Sequence, residues 1–371
     1  MATPLDGVRV LDLTRVLAGP FATMLLADLG ADVLKIEQAS GDDTRHFGPP
    51  FVGGESTYFL AINRGKRSLV LDLKSPDGIA ELLRLAARSD VLVENFRPGV
   101  LDRLGIGAKT LRALNPRLIV ASLSGFGQTG LDEWVQAPGY DLVIQALSGV
   151  MSLTGEAGGP PVKAGVSVGD LVGGLYLVQG VLAALYERER TGRGRHVDVA
   201  LLDALVSLLG YQAGQLFATG QAPTRLGSRH PSICPFETVQ AADGPFVLCC
   251  GNDAQFRALA AELGLDDEPR FRTNPGRVEH HDALLALLAE RFRAAPVDAW
   301  IARLGAAGVP CAPVLSLDQA LAHPQLAARG MLRTLEHPTL GTLRAVSSPL
   351  VLDGEVCFAE LAPPKLGDHD L

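Results

Sequence analysis

The chain has 371 residues, of which 47% are hydrophobic and 20% are charged, and its formal net charge is -8. This length predicts two domains that each bury a core, and the composition excludes disorder over most of the chain. An acidic balance makes the chain a poor electrostatic partner for nucleic acid or anionic lipid, so neither is expected as a partner. Small-molecule chemistry is the function class that these numbers favour.

The cysteines and the apolar segments favour a cytoplasmic protein. Five cysteines are an odd number with no CxxC pair, which predicts neither a disulfide framework nor a structural zinc site, so no metal is expected. The first residues lack the basic and apolar regions of a signal peptide. The most apolar stretch, residues 171–186, is shorter than the roughly 18 to 20 residues of a membrane span and contains three glycines, so a buried helix is predicted.

In the first half of the chain, short apolar runs alternate with amphipathic segments, which is typical of an α/β fold with a parallel sheet covered by helices. The predicted strands are residues 8–13, 31–36, 68–71, 91–93, 118–123 and 196–199. The predicted helices are residues 20–29, a segment that begins at Ser75-Pro76, and two long segments at 170–190 and 201–218.

The pattern changes near residue 225 to that of a small α+β domain. Its predicted elements are a hairpin of residues 235–240 and 245–250 around Asp243-Gly244, a helix capped by Asp253 and ended by Gly264, and helices at 282–293 and 296–304. Short strands are expected after residue 331. The resulting domain bounds are 1–220 for a large domain, 225–325 for a small one, and 326–371 for a C-terminal segment.

Residues 125–130 form a literal GxGxxG directly after a predicted strand. A dinucleotide site needs a long helix to follow, and Pro138 stops the next segment early. A glycine-rich turn is therefore favoured over an NAD site.

Residues 165–169 form a literal GxSxG, the pattern of the hydrolase nucleophile elbow. The elbow requires a strand that runs into the serine, and Pro160-Pro161 leaves room for only a very short one. A turn of small residues is favoured over a serine hydrolase.

The pair His280-His281 lies at a polar helix start. Adjacent helical residues do not face the same way, so a solvated face is favoured over a metal site.

Asp170 follows the small-residue turn and precedes the most apolar helix of the chain. A plain N-cap is the favoured interpretation from the residues alone, since Asp is a preferred cap. The alternative is a carboxylate that the helix N–H groups keep ionised, beside glycines that let a bulky ligand approach the backbone. Such a carboxylate can attack an activated acyl group and form a covalent intermediate.

Several motifs, in one order along nearly the whole chain, resemble those of the family III CoA-transferases, also called the CaiB/BaiF type. They occupy residues 11–20, 27–37, 41–45, 63–68, 94–99, 139–141, 169–170 and 308–310. The chain looks most like the succinate/glutarate and hydroxymethylglutarate CoA-transferases, notably across residues 41–68. The resemblance implies a Rossmann-like large domain that the C-terminal segment rejoins, a small α+β domain, and an interlocked, ring-like homodimer.

The resemblance also implies the reaction: CoA moves between an acyl-CoA and a free carboxylic acid, with no tightly bound cofactor. Asp170 matches the nucleophile that forms an aspartyl-acyl anhydride and then an aspartyl-CoA thioester, and Tyr140 matches an active-site tyrosine. Positions that match CoA contacts are Val16, Ala18, Leu71, Lys74, Asn95, Phe96, Arg97 and Arg103. Core packing would explain Val16, Ala18 and Leu71 equally well. For Lys74, Asn95, Phe96 and Arg103 the less favoured alternative is a solvated polar side chain or a core phenylalanine. Arg45, Arg229 and His230 are candidate cations for the distal carboxylate of a dicarboxylic substrate.

Three positions depart from related enzymes. The oxalate-specific formyl-CoA transferases have a glutamine at Leu17 and a tetraglycine loop at residues 227–230, so a formyl/oxalate substrate pair is not expected. Gln38 stands where many members have an arginine, which removes one expected phosphate contact. The 2-methylacyl-CoA racemases have a histidine at the position of Tyr140, and a phenol is a poor base at neutral pH. A racemase is therefore the less favoured, alternative enzyme. A CoA-binding protein without catalysis is a third possibility.

Overall fold

The structure is a computed structural model that describes residues 3–265 and 268–368. It contains two compact units. The first comprises Met1–Met151, Lys163–Gln221 and Pro324–Leu371, and the second comprises Ser152–Val162 and Ala222–His323. The short segment Ser152–Val162 thus lies with the second unit, although the sequence pattern placed it within residues 1–220.

The strands of the first unit belong mainly to one parallel sheet. In chain order, the strands before the second unit are Arg9–Asp12 (β1), Asp32–Glu37 (β2), Phe51–Val52 (β3), Glu55–Ser56 (β4), Lys66–Val70 (β5), Val91–Glu94 (β6), Ile119–Ser124 (β7) and His196–Ala200 (β8). The six-stranded sheet has the order β5-β2-β1-β6-β7-β8, and every neighbouring pair is parallel. The strand order therefore reverses between β1 and β6, where α/β folds form ligand crevices at the carboxyl ends of the strands.

The central strands are apolar without interruption because helices cover both faces of the sheet. Val91, Leu92 and Val93 of β6 are fully buried. Side chains alternate across a strand, so Val91 and Val93 pack into one core cluster while Leu92 packs into another on the opposite face. The predicted α/β architecture is confirmed.

The helices up to residue 221 follow the same alternation. They are Ala18–Asp28 (α1), Thr57–Ile62 (α2), Pro76–Ala86 (α3), Val100–Arg103 (α4), Ala108–Leu114 (α5), Asp132–Val135 (α6), Asp141–Leu147 (α7), Val150–Leu153 (α8), Val168–Thr191 (α9), Leu201–Ser207 (α10) and Gly210–Thr219 (α11), with a 3-10 turn at Asp43–His46. Ser75 caps α3 by accepting from the Gly78 N–H, as predicted. The single helix expected at 201–218 is wrong, because Leu208 and Leu209 separate α10 from α11.

The second unit has a three-stranded antiparallel sheet and a layer of helices. Its elements are Phe236–Gln240 (β9), Pro245–Cys249 (β10), Asp253–Leu263 (α12), a 3-10 turn at Pro269–Phe271, Asn274–Glu279 (α13), His281–Phe292 (α14), Val297–Ala306 (α15), Cys311–Pro313 (β11) and Leu317–Leu321 (α16). The predicted hairpin is confirmed, as is Gly264 at a left-handed helix end. The predicted cap of α12 is wrong by one residue: Asn252 accepts from the Gln255 N–H, and Asp253 begins the helix.

The chain then returns to the first unit. Its last elements are Pro324–Ala328 (α17), Leu332–His337 (β12), Gly341–Val346 (β13), Val351–Leu352 (β14) and Glu355–Val356 (β15). Two antiparallel pairs, β12 with β13 and β14 with β15, account for these strands.

The solvated face expected for the histidine pair is wrong for His281, whose side chain is only 12% exposed. Its Nε2 lies 2.7 Å from Glu237 Oε1 and its Nδ1 lies 2.8 Å from Asp282 Oδ1. Cys234 lies beside this pair, and burial and Glu237 raise the pKa of its thiol to about 11, so the thiol is neutral. We interpret this cluster as a hydrogen-bonded group that joins β9 to the start of α14.

Helix α9 is long and apolar enough to cross a membrane, and α10 with α11 would qualify only as a bent pair, among the residues described. Leu177 and Val181 of α9 are buried in the core of the first unit. The prediction of a buried helix holds for that face alone, since Leu175 and Tyr186 on the same helix are 52% and 69% exposed.

Candidate active site

Asp170 lies in a cavity of about 240 Å³ at the point where the strand order reverses. The loops after β1 and β6 form much of its lining, and Tyr140 and Leu201 complete another side. The lining residues from the two loops are Arg15, Val16, Leu17, Ala18, Asn95, Phe96, Arg97 and Pro98. The topology therefore brings together five of the predicted CoA contacts from these loops with both predicted catalytic residues.

Asn95 joins the two loops. Its Oδ1 accepts from the Arg15 N–H at 2.9 Å, and its Nδ2 donates to the Arg15 carbonyl oxygen at 2.7 Å. Both polar atoms of the amide are thus engaged by one residue of the neighbouring loop. Asn95 fixes the backbone of Arg15 across the reversal point, which is a positioning role that its sequence context did not indicate.

Val16 has a left-handed backbone, with φ of 70°. This region is unfavourable for a β-branched residue and is found where surrounding contacts impose it, often at functional sites. The Val16 N–H donates to Asp42 Oδ1 at 3.3 Å, and Asp42 in turn pairs with the buried Lys35 at 2.9 Å. Lys35 also donates to the Thr14 carbonyl oxygen at 2.7 Å, so this pair holds the loop from both sides of Arg15.

Asp170 lies in the first turn of α9 and is not its N-cap, a position that Ser167 occupies. The side chain that binds the helix start is Asp141, whose Oδ1 accepts from the Gly169 N–H at 2.8 Å and from the Asp170 N–H at 3.4 Å. Gln145 donates to the other oxygen of Asp141 at 2.7 Å and accepts from the Ala164 N–H at 2.9 Å. The N-cap interpretation of Asp170 is therefore wrong, because the side chain that binds the helix start belongs to Asp141.

Burial, and then the nearby Asp141 carboxylate, raise the pKa of Asp170 to about 7. No cation is among the causes of this shift. A carboxylate in such surroundings is poorly solvated, so it has less solvation to lose when it attacks an electrophile. The same causes leave a large part of the group protonated at neutral pH.

The glycines after Asp170 permit helix packing. A Cβ on Gly174 would lie 2.7 Å from the Ala18 carbonyl oxygen, and one on Gly173 would lie 2.3 Å from a Leu201 methyl group. These glycines were expected to let a ligand approach the backbone. Instead, they let α9 pack closely against α1 and α10.

A second cavity, of about 440 Å³, lies beside the first at the carboxyl ends of β1, β2, β5 and β6. Its lining includes Leu71 and Lys74 after β5, and it shares Arg15, Phe96 and Arg97 with the Asp170 cavity. Cationic side chains and an aromatic ring suit the phosphates and base of a nucleotide. The larger cavity thus has a lining that suits a nucleotide, and its neighbour contains the Asp170 carboxyl group.

Residues 5–370 match the family model of CoA-transferase family III. The chain belongs to this family. An acetyl-CoA:oxalate CoA-transferase of Acetobacter aceti is 48% identical over 334 residues, which are 89% of this chain and 85% of that protein. A succinate–glutarate CoA-transferase of Agrobacterium fabrum is 42% identical over 376 residues, which are 99% and 94% of the two chains. A solved CaiB/BaiF family protein from Brucella suis is 42% identical with a TM-score of 0.88, covering 100% of this chain and 98% of that one. The family recognised from the sequence motifs is confirmed, and the protein is an enzyme.

In this family III enzyme, the GxGxxG pattern of residues 125–130 is followed only by the short helix α6. This agrees with the predicted glycine-rich turn. A Cβ on Gly125 would lie 2.5 Å from the Gly139 Cα, so the two glycines let their backbones cross in close contact. This crossing fixes the segment that carries Tyr140 and Asp141. Tyr140 itself is 72% exposed at the edge of the Asp170 cavity.

Tyr58 of α2 is a further residue near Asp170 that sequence reasoning did not single out. Burial, followed by the Asp170, Asp141 and Asp42 carboxylates, raises the pKa of its phenol to about 12. Its hydroxyl is therefore a hydrogen-bond donor at any physiological pH. The sequence holds no signal for this placement, because Tyr58 is far from Asp141 and Asp170 along the chain.

The remaining predicted residues lie elsewhere. Arg103 is exposed on α4 and is not among the residues that line either cavity. Arg45 is buried, with its Nε and Nη2 donating to Glu37 at 2.8 and 2.7 Å and its guanidinium 3.7 Å from the Phe59 ring centre. Arg229 and His230 belong to the second unit.

Proposed function

We propose that this enzyme transfers CoA between a CoA thioester and a free dicarboxylic acid through covalent intermediates on Asp170. The observation that carries the proposal is a poorly solvated carboxyl group, with a pKa near 7, in a cavity that shares part of its lining with a nucleotide-sized cavity. The relatives named above act on oxalate, succinate and glutarate, which are all dicarboxylates. Oxalate therefore stays among the candidate acids, although a formyl-CoA donor is not expected.

The reaction consists of four exchanges at acyl carbon atoms. An oxygen of ionised Asp170 attacks the donor thioester, the C–S bond breaks, and CoA leaves as a thiolate from an aspartyl-acyl anhydride. The thiolate attacks the aspartyl carbonyl, which releases the donor acid and leaves an aspartyl-CoA thioester. The acceptor carboxylate then displaces the thiolate to form a second anhydride. The thiolate attacks its acyl carbonyl, which yields the new acyl-CoA and frees Asp170.

In this proposal the CoA nucleotide binds in the larger cavity. Lys74 and Arg97 attract its phosphates, and Phe96 packs against its base. Arg103 is left out of the phosphate-binding set because it lines neither cavity. Val16, Ala18 and Leu71 supply apolar contacts along the ligand. Asn95 contributes by holding the loop that carries Arg15, and Tyr140 closes the open side of the Asp170 cavity. Arg45 is left out of the acid-binding set because its guanidinium is committed to Glu37.

We also propose a homodimer, with the interlocked arrangement expected from the family, in the cytoplasm. Helix α11 has no buried residue among those described, and its Phe217 is 83% exposed. Tyr211 and Leu208 are about half exposed close by. Apolar surface of this kind is typical of an interface, and a second copy of the chain is the proposed occupant. The free cysteines fit a reducing compartment. Sedimentation of the purified enzyme at the mass of one chain would contradict the dimer.

Trapping the acyl-enzyme tests the reaction. Hydroxylamine added during turnover of succinyl-CoA with glutarate should convert Asp170 to a hydroxamate, which peptide mass spectrometry can locate. A racemase would instead exchange the α-hydrogen of a 2-methylacyl-CoA for deuterium without an acceptor acid. Transfer that proceeds at full rate without any trapped aspartyl adduct would contradict the covalent mechanism.

A further inference from the structure

Arg15 lies where the two cavities meet, and its main chain is held in place. Its N–H and carbonyl oxygen both bind the Asn95 side chain, and it lines both cavities. The cations that line the Asp170 cavity, among the described residues, are Arg15 and Arg97. A substrate carboxylate in that cavity therefore has two candidate partners.

The guanidinium of Arg15 is only weakly committed within the protein. Its Nη1 lies 3.6 Å from Asp43 Oδ2, and the two side chains are 41% and 48% exposed. An exposed pair at this distance contributes little to stability, about 0 to 1 kcal/mol. The guanidinium also lies 5.5 Å from the centre of the Phe96 ring, which steadies its plane without using its N–H donors.

The pairing with Asp43 indicates the direction in which the guanidinium extends. Asp43 lines the Asp170 cavity and is absent from the lining of the larger one, whereas Lys74 lines the larger cavity alone. Arg15 is thus drawn toward the acyl side of the site, while Lys74 is placed for the nucleotide side.

We propose that Arg15 binds the distal carboxylate of the dicarboxylic substrate while the reacting end lies at Asp170. This inference rests on the proposed function and names the group that selects dicarboxylic over monocarboxylic substrates. A planar guanidinium binds a carboxylate through two parallel hydrogen bonds, and Asp43 is the weak partner that the substrate displaces. A monocarboxylic acyl group of similar length would lack this contact.

The test compares two donors, succinyl-CoA and butyryl-CoA, with the purified full-length enzyme and its variants Arg15→Met and Arg15→Lys. The ratio of kcat/KM for succinyl-CoA to that for butyryl-CoA should fall about 10- to 100-fold in Arg15→Met. This is the loss of binding expected when a hydrogen bond between charged groups is removed. Arg15→Lys should restore part of the ratio, since a lysine supplies the charge without the paired geometry. Arg97→Met is the matched control and should lower both values to a similar extent.

The outcomes separate the inference from the function. Suppose that the wild-type enzyme transfers CoA and that Arg15→Met lowers kcat/KM equally for both donors. Arg15 then binds CoA or holds the loop, and the inference is overturned. Calorimetric binding of free CoA adds a second readout, because a large loss of CoA affinity in Arg15→Met would also overturn it. Absence of transfer by the wild-type enzyme with every acid and donor would instead contradict the proposed function.

Discussion

Two aspartates, one fully buried and one half-buried, lie at the carboxyl edge of the same sheet and have opposite electrostatic surroundings. Asp12, at the end of β1, is fully buried. Burial acts to raise its pKa, but Lys66 and Lys35 outweigh burial and hold that pKa well below its usual value. Asp170, at the start of α9, is also desolvated, and its charged neighbour is the Asp141 carboxylate, so its pKa rises to about 7. Burial alone therefore does not make a carboxylate reactive: the charges packed around it decide between a structural ion pair and a nucleophile.

The largest expected effect is on turnover. Asp170→Asn should lower kcat for CoA transfer at least about 1,000-fold, because an amide cannot form the anhydride. Asp203→Asn, an exposed acid in the first turn of α10, is the matched control and should keep the wild-type rate. Circular dichroism should find both variants folded. A folded Asp170→Asn enzyme with near-wild-type turnover would show that Asp170 is not the nucleophile, and the contrast with the structural Asp12 would then fail.

The next effect is on stability at the Asp12 site. Lys66 Nζ donates to Asp12, Asn63 and the Pro20 carbonyl oxygen at 2.8 to 3.0 Å. Lys66→Met leaves the buried Asp12 without this partner and should lower the free energy of unfolding by about 3 to 5 kcal/mol, measured by urea denaturation.

The neighbouring Arg67→Met supplies the control for Lys66→Met. Arg67 pairs with Asp32 at 2.8 Å at a partly exposed position, so its loss should cost less than about 1 kcal/mol. Adding Asp12→Asn to Lys66→Met should recover part of the loss. Equal destabilisation by both single variants would mean that burial contributes nothing to the Asp12 pair.

The smallest expected effect is a shift in pH dependence. Because only ionised Asp170 attacks the thioester, and its pKa is raised to about 7, kcat/KM should fall roughly tenfold per pH unit below pH 7. Asp141→Asn removes a charge that raises this pKa, so the midpoint should move down by about half to one pH unit.

The same pH profile needs a second variant, since burial also raises the pKa of Glu94 to about 7. Glu94→Gln should leave the midpoint of the acid limb in place. If the limb moves with Glu94→Gln and not with Asp141→Asn, the titration in kcat/KM belongs to Glu94.

Local patterns predicted those parts of the fold whose cause is local. Ser75 starts α3 by accepting a hydrogen bond from an N–H group of the first turn, and Pro76 has no N–H group that would need a partner there. Gly264 ends α12 because it tolerates a left-handed backbone. The break between α10 and α11 was missed because the apolar pattern continues across it. The cap of α12 was misplaced because Asn252 and Asp253 are both good caps, and only hydrogen-bond geometry distinguishes them.

The sequence by itself determined the family, the α/β alternation and the position of Asp170 at a helix start, because these are patterns of neighbouring residues. Only the tertiary structure decided what surrounds that carboxyl group. Asp141 binds the start of α9 from 28 residues away, and Asn95 joins a loop 80 residues distant to its own. Desolvation and Coulomb energies depend on distance in space, so the raised pKa of Asp170 and the lowered pKa of Asp12 could be assigned only after folding had placed their neighbours.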